Sequence, residues 1–184
     1  TLLGGHDDGR FMSEKGATIA GLKLANAFVL TTRGVPQLYY GDEIAMTGAD
    51  EPTTREDFPG GFPGDKRNAF SRAGRTKDEQ EVFEHIQKLT SLRAELEPLR
   101  TGRLVNLYVS EQQYAYARVS RRGTVVTVIN NLNKPAEIGI NVMPVGLANG
   151  EMMIDRLTGQ QIQVSDRRLK VTLRARSAAV FVRR

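Results

Sequence analysis

The chain contains no cysteine and no tryptophan, and only two histidines, His6 and His85. Without cysteine there is no disulfide, no thiol nucleophile and no cysteine–zinc site. Two isolated histidines do not build a multi-histidine metal centre. No apolar run approaches the roughly 20 residues a membrane-spanning helix needs, so a membrane is not an expected partner. A nucleophile elbow of the Gly-x-Ser-x-Gly type is also missing, which removes the serine-hydrolase reading. Gly60, Gly61 and Gly64 lack the strand and helix context of a phosphate loop.

What is present is ordinary globular composition. The 184 residues are 40% hydrophobic and 26% charged, enough for one good core or two small ones. The net charge of +5 lies near the C-terminus. From Val164 to Arg184, seven basic residues (Arg167, Arg168, Lys170, Arg174, Arg176, Arg183, Arg184) stand against Asp166 alone. They alternate with Leu169, Val171, Leu173, Val180 and Val182, the pattern of strands with one solvated face. Nucleic-acid binding would want aromatics among these charges, and only Phe181 is nearby, so no nucleic-acid partner is expected. The chain opens on Thr1 with no initiator methionine and no targeting segment, and is expected to begin inside a longer protein.

Hydrophobic periodicity divides the chain in two. Ile19, Leu22, Ala25, Phe28 and Val29 predict a helix over Ser13–Leu30, with Ser13 and Gly16 at its start. Val35 to Tyr40, between Gly34 and Gly41, predicts a short buried strand, and helix plus strand make one step of an α/β repeat. A loop over 47–73 follows, rich in proline and glycine but carrying Phe58, Phe62 and Phe70, which argue against plain disorder. Val82, Phe83, Ile86, Leu89 and Leu92 predict a second helix over Lys77–Glu95, ended by Pro98. His85 falls mid-helix among polar residues and reads as a surface or half-buried histidine. From Arg103 the period changes to two. Candidate strands are 104–109, 114–119, 124–130, 136–141, 151–155, 161–164, 169–173 and 178–183. Eight short strands in that span describe an antiparallel sandwich or barrel. The expected domains are therefore an α/β piece over 1–99 and an all-β domain over 103–184.

The densest chemistry opens the chain, where Thr1-Leu2-Leu3 runs into Gly4-Gly5-His6-Asp7-Asp8-Gly9-Arg10-Phe11. A strand end feeding a polar loop is where barrel enzymes place active-site side chains. On spacing alone the cluster reads equally well as a capped helix start with surface charges.

The motifs go further. Gly4 to Phe11 resembles the fourth sequence region of the α-amylase family of glycoside hydrolases, which in the cyclomaltodextrinase/neopullulanase branch reads Gly-Ser-His-Asp and then Thr-x-Arg. Gly34-Val35-Pro36-Gln37-Leu38-Tyr39-Tyr40-Gly41-Asp42-Glu43 resembles the eighth barrel strand and its exit. Glu51-Pro52-Thr53-Thr54-Arg55-Glu56-Asp57-Phe58 is similar to that branch's Asp-Pro-x-x-Arg-x-x-Phe segment. The resemblance implies an α/β plus all-β fold: the C-terminal end of a (β/α)8 TIM barrel, about two of its eight βα units, followed by an antiparallel β-sandwich. It implies that Asp7 is the carboxylate that stabilises the transition state and that His6 bonds sugar hydroxyls at the cleaved position. Arg55 and Glu51 would contact sugars further away, with Arg10 in support. Phe58 and Phe62 are candidate stacking faces for a sugar ring. Two departures stand out: Gly5 replaces serine or asparagine, and Glu51 replaces aspartate before Pro52.

Retaining glycosidases need a nucleophile and an acid with carboxyl groups about 5–5.5 Å apart. The resemblance places both on barrel strands preceding Thr1. The local pairs Asp7-Asp8, Asp42-Glu43 and Glu56-Asp57 are sequence neighbours, whose side chains diverge in extended chain. The chain alone is thus expected to be inactive. The parent would be a retaining α-glucan hydrolase or transglycosylase, needing no cofactor from this chain. Its partners would be α-glucan oligosaccharides and the upstream part of the same enzyme. The exposed apolar faces of the first helix and of 35–40 are expected to make the isolated chain self-associate or fold its helices onto the sandwich. The alternative is a β-sandwich carbohydrate-binding or interaction module with a helical lead-in.

Overall fold

A computed structural model describes all 184 residues. They gather into two compact units: Thr1–Val29 with Pro36–Lys88, and Leu30–Val35 with Leu89–Arg184. No helix is long and apolar enough to cross a membrane.

The first unit holds helix α1 (Ile19–Thr31) up to Val29 and helix α2 (Lys77–Glu95) up to Lys88. Helix α1 starts six residues later than the periodicity suggests. Gly16 takes φ +82°, outside the helical region, and the helix begins where the Thr18 hydroxyl accepts the Gly21 N–H at 3.0 Å. Leu22, Leu24, Ala27 and Val29 are buried along it, on more than one side. Two contacts join α1 to α2: Lys23 pairs with Glu81 at 2.7 Å, and His85 Nε2 donates to the Lys23 carbonyl at 3.0 Å. His85 is half-buried as a result.

The strand expected over Val35–Tyr40 does not form. A buried parallel strand requires ladder neighbours and covered faces. The extended segment nearest to it contributes one backbone bond, Gln37 N–H to the Thr1 carbonyl at 2.9 Å. Val35 is 83% exposed, so this run is not buried within the chain. Pro98 also behaves differently from the expected stop. The backbone extends at Leu96, and Pro98 sits in the first turn of a short helix α3 (Glu97–Thr101), where its missing N–H costs nothing.

The second unit holds eight strands: β1 (Arg103–Val109), β2 (Gln113–Ser120), β3 (Gly123–Asn130), β4 (Ala136–Asn141), β5 (Met152–Asp155), β6 (Gln161–Gln163), β7 (Arg168–Leu173) and β8 (Ser177–Arg183). Each falls on its expected segment. Six form an antiparallel sheet in the order β1-β2-β3-β8-β5-β6, while β4 pairs with β7 alone. The inward residues of both sheets meet in one core: Ala115, Val126, Val128 and Phe181 from the larger, Ile138, Ile140, Leu169 and Val171 from the smaller. Arg168 and Lys170 on β7 face solvent between the buried Leu169 and Val171, as the alternation requires.

Two buried polar groups tie this unit together. Arg118 on β2, 2% exposed, donates Nε and Nη2 to the Gly102 carbonyl at 3.0 and 2.9 Å and Nη1 to the carbonyls of Thr31 and Thr32. It thereby places a cation where helices leave carbonyls unsatisfied. Asp155, 1% exposed, accepts from Val180 N at 2.9 Å, Leu157 N at 3.0 Å and the Thr158 hydroxyl at 2.5 Å. This fastens the β5–β6 turn to β8. Asp155→Ala strands these buried donors and is expected to lower the unfolding free energy by about 2–4 kcal/mol, read as a reduced urea midpoint with unchanged slope.

Candidate functional site

Two segments some forty residues apart form the polar surface of the first unit, and the backbone brings them together. The Gly48 carbonyl accepts Arg10 N–H at 2.8 Å, and Gly48 N–H donates to the Ser13 hydroxyl at 2.7 Å. Gly48 has φ +153°, and a Cβ there would sit 2.4 Å from the Thr53 carbonyl oxygen. Only glycine allows this approach. Beyond it, Thr53–Arg55 makes a single 3-10 turn that holds Thr54 inward, 2% exposed, and Arg55 outward.

Four of the sequence-predicted residues converge here. Asp7 Oδ2 lies 3.1 Å from His6 Nε2, and Arg55 Nη2 donates to Asp7 Oδ1 at 3.1 Å. The same Arg55 Nη2 donates to Glu51. Arg55 Nε and the Thr54 hydroxyl both donate to the His6 carbonyl, at 3.3 and 3.2 Å. All four charged or imidazole side chains are exposed, so the cluster offers carboxylate acceptors beside guanidinium and imidazole donors. That mixture suits vicinal hydroxyls. It does not suit a nucleophile–acid pair, because the shared Nη2 occupies the space between the two carboxylates where a scissile bond would lie.

Arg10 is placed differently. It is 2% exposed, with Nη1 donating to the Tyr40 carbonyl at 2.7 Å and lying 3.8 Å from Asp42. Its guanidinium carbon stands 4.5 Å from the Tyr39 ring centroid and 4.9 Å from that of Tyr40. Nε and Nη2 make no hydrogen bond, and the tyrosine rings are their compensation. Asp42 also accepts the Tyr39 N–H at 3.2 Å. Burial outweighs these favourable partners and pushes the Asp42 carboxyl up to about 6, with Glu43 adding to the rise. A carboxyl raised this far would be a general-acid candidate in a cleft. Here its oxygens face Arg10 and a backbone N–H, away from solvent. Glu43 is likewise engaged, accepting Gly41 N–H at 2.7 Å.

The loop after Arg55 is ordered by its own contacts. Asp65 accepts from Gly60 N at 2.6 Å and Phe62 N at 3.1 Å, and Arg67 grips Glu79 of α2 with two bonds of 2.7 and 2.8 Å. Phe58 is half-buried against Phe70, ring centroids 4.5 Å apart, while Phe62 stands 58% exposed. No three histidine, aspartate or glutamate side chains gather as a metal site would need.

The comparisons with known proteins follow the same division. Residues 1–75 match the model of the alpha amylase catalytic domain, and residues 107–182 that of the cyclo-malto-dextrinase C-terminal domain. By fold and sequence the chain is therefore a relative of the α-amylase family. More narrowly, it is 33% identical over 174 residues to the cyclomaltodextrinase of Geobacillus thermopakistaniensis, covering 94% of this chain and 27% of that protein. Neopullulanase 2 of Thermoactinomyces vulgaris is 31% identical over 175 residues, again 94% of this chain and 27% of that one. An Anoxybacillus α-amylase superposes with a TM-score of 0.81 at 26% identity, over 100% of this chain and 37% of that chain. The chain spans about a quarter of the length of these curated relatives.

Gly48, Thr54, Ser13 and Tyr40 were not among the site candidates read from the sequence. Gly48 alone had a signal, as a glycine inside the loop that the two segments share. Gly48→Ala, needing both a positive φ and room that backbone occupies, is expected to cost at least about 3 kcal/mol, measured by thermal or urea unfolding.

Two groups in this unit titrate abnormally with opposite sign. The folded chain holds the Asp42 proton more tightly than the unfolded chain, so Asp42 adds stability at low pH that is lost as pH rises through about 6. Burial, helped by Lys23 and Lys88 and opposed by the Lys23 carbonyl and Glu81, pulls His85 down to about 4, so its contribution is full above 6.5 and is lost as pH falls toward 4. The two oppose each other between pH 4 and 6.5. Asp42→Asn is expected to make the chain less stable on acidification across that window, and His85→Gln more stable, each by up to about 2 kcal/mol relative to wild type. Urea midpoints at pH 4.5 and 6.5 read both slopes.

Proposed function

We propose that this chain serves as the C-terminal portion of a retaining α-glucan-acting glycosidase, with residues 1–99 completing its catalytic barrel and 103–184 forming its β-sandwich. The observation that carries the reading is the convergence of His6 and Asp7 with Glu51 and Arg55 on one exposed surface. Asp7 binds the ring hydroxyls of the distorted sugar and stabilises the positive charge that develops in an oxocarbenium-like transition state. His6 donates to sugar hydroxyls at the cleaved linkage. Arg55 and Glu51 bind outward from it, and Phe58 and Phe62 offer ring faces. Arg10 supports the loop from beneath. The nucleophile and general acid come from the upstream part of the enzyme, so this chain does not hydrolyse alone. The names of its relatives favour maltodextrin, cyclodextrin or pullulan-type α-glucans, with hydrolysis or transglycosylation as the outcome.

Reducing-sugar release from β-cyclodextrin, maltotriose and starch tests this directly. The chain alone is expected to be silent, and a longer chain supplying the upstream barrel active. Asp7→Asn should then lower that activity by at least about a hundredfold, as loss of a transition-state contact does. Activity from the 184-residue chain alone would overturn the reading. Glucan binding untouched by Asp7→Asn and His6→Ala would favour a carbohydrate-binding sandwich instead.

A further inference from the structure

His6 and Asp7 occupy the two central positions of a turn closed by Asp8 N–H on the Gly5 carbonyl at 3.4 Å. The peptide group joining central residues is the part of a turn that can rotate. In type I and type II turns it points in opposite directions, and the flip moves the second central residue between negative and positive φ. Asp7 is that residue, and its φ is not positive. A flip would force Asp7 to a positive φ and put its N–H where the His6 carbonyl now stands, taking from Arg55 the acceptor that seats its guanidinium beside the Asp7 carboxylate.

The central carbonyl belongs to His6, and two donors hold it. The Thr54 hydroxyl donates at 3.2 Å and Arg55 Nε at 3.3 Å, filling both lone pairs from one side. Thr54 is 2% exposed and cannot drift, because the 3-10 turn that carries it is fixed by Thr54 N–H on the Asp50 carbonyl at 3.2 Å and by the close approach of Gly48. Arg55 is also drawn by Asp7 and Glu51, so its Nε position shifts with whatever those carboxylates bind. Thr54 has no such competitor.

We propose that Thr54 is a positioning residue: its hydroxyl locks the His6–Asp7 peptide against a turn flip and so keeps the carbonyl that seats the Arg55 guanidinium beside the Asp7 carboxylate. The purpose of the lock rests on the carbohydrate reading of the site, whereas the lock itself does not. Nuclear magnetic resonance on the ¹⁵N-labelled 184-residue chain separates the two. The Asp7 amide nitrogen belongs to the same peptide group as the His6 carbonyl and responds to the bonds that carbonyl accepts. Thr54→Val, which keeps the shape and removes the hydroxyl, is expected to move the Asp7 amide resonance and to weaken maltotriose binding about fivefold, the worth of one net hydrogen bond. Thr54→Ser should restore both. An unmoved Asp7 amide in Thr54→Val overturns the proposal, even if the urea midpoint falls. So does a Thr54→Ser chain displaced as far as Thr54→Val, since the lost methyl would then be responsible. If the valine variant does not fold, Thr54→Ala and Thr54→Ser are compared in the same way, and equal Asp7 shifts refute the lock. If the hydroxyl-dependent Asp7 shift is seen while a longer chain supplying the upstream barrel fails to bind maltotriose, the lock stands and the carbohydrate reading fails.

Discussion

The site depends on a contact where there is no room for a side chain. Gly48 lies so close to Thr53 and Thr54 that even a methyl group would collide with backbone, and from there it bonds residues 10 and 13 through its own carbonyl and N–H. This converts two unrelated stretches into a closed frame. Residues 6–13 bond to 48, and residues 54–55 bond back to 6. Loop ends otherwise cost entropy to bring together, and such frames recover it only when every member is held. The flexible-looking segment after Thr47 is thus rigid where it meets the cluster.

Electrostatics divides the two arginines of the frame into different roles. Arg10 is buried, and its charge is met by tyrosine faces, a carbonyl and a carboxyl pushed toward neutrality. A buried cation so arranged strengthens the scaffold more than it recognises anything outside. Arg55 is exposed and shared between two carboxylates. Exposed pairs of this kind contribute little to stability, so the conformation of Asp7 is set by the backbone frame and Arg55 remains available to exchange partners.

The eight strands could be read from the sequence because turn signals bound short β-prone runs. Where one face is solvated, as on β7, alternation records it residue by residue, although β2 and β3 are buried on both faces at their centres. Helix α2 was equally legible from its stripe of Val82, Ile86 and Leu89. The failures have a common cause, namely that local pattern does not contain the neighbour. Val35–Tyr40 has the composition of a buried strand, yet strand formation needs a ladder partner, and none in this chain supplies one. The start of α1 was misplaced because Gly16 turns left-handed, a property of the path and not of the periodicity. In the site, His6, Asp7, Glu51 and Arg55 were legible as motifs. Their mutual contacts, the burial of Arg10 and the inward turn of Thr54 were not, since a threonine in a loop carries no mark of what its hydroxyl will meet.

On the proposed function, the charge of the cluster discriminates among sugars. Asp7, Asp8 and Glu51 stand against Arg55 as the single full cation at the surface, and Arg10 is withdrawn beneath it. A phosphorylated or acidic sugar would meet like charge with one guanidinium to offset it, and that guanidinium is already engaged twice. A neutral polyol meets acceptors for its hydroxyl protons and donors for its oxygens, with no charge to desolvate. On that reading, the carboxylates that repel an acidic sugar are the same groups that accept the hydroxyl protons of an uncharged glucan.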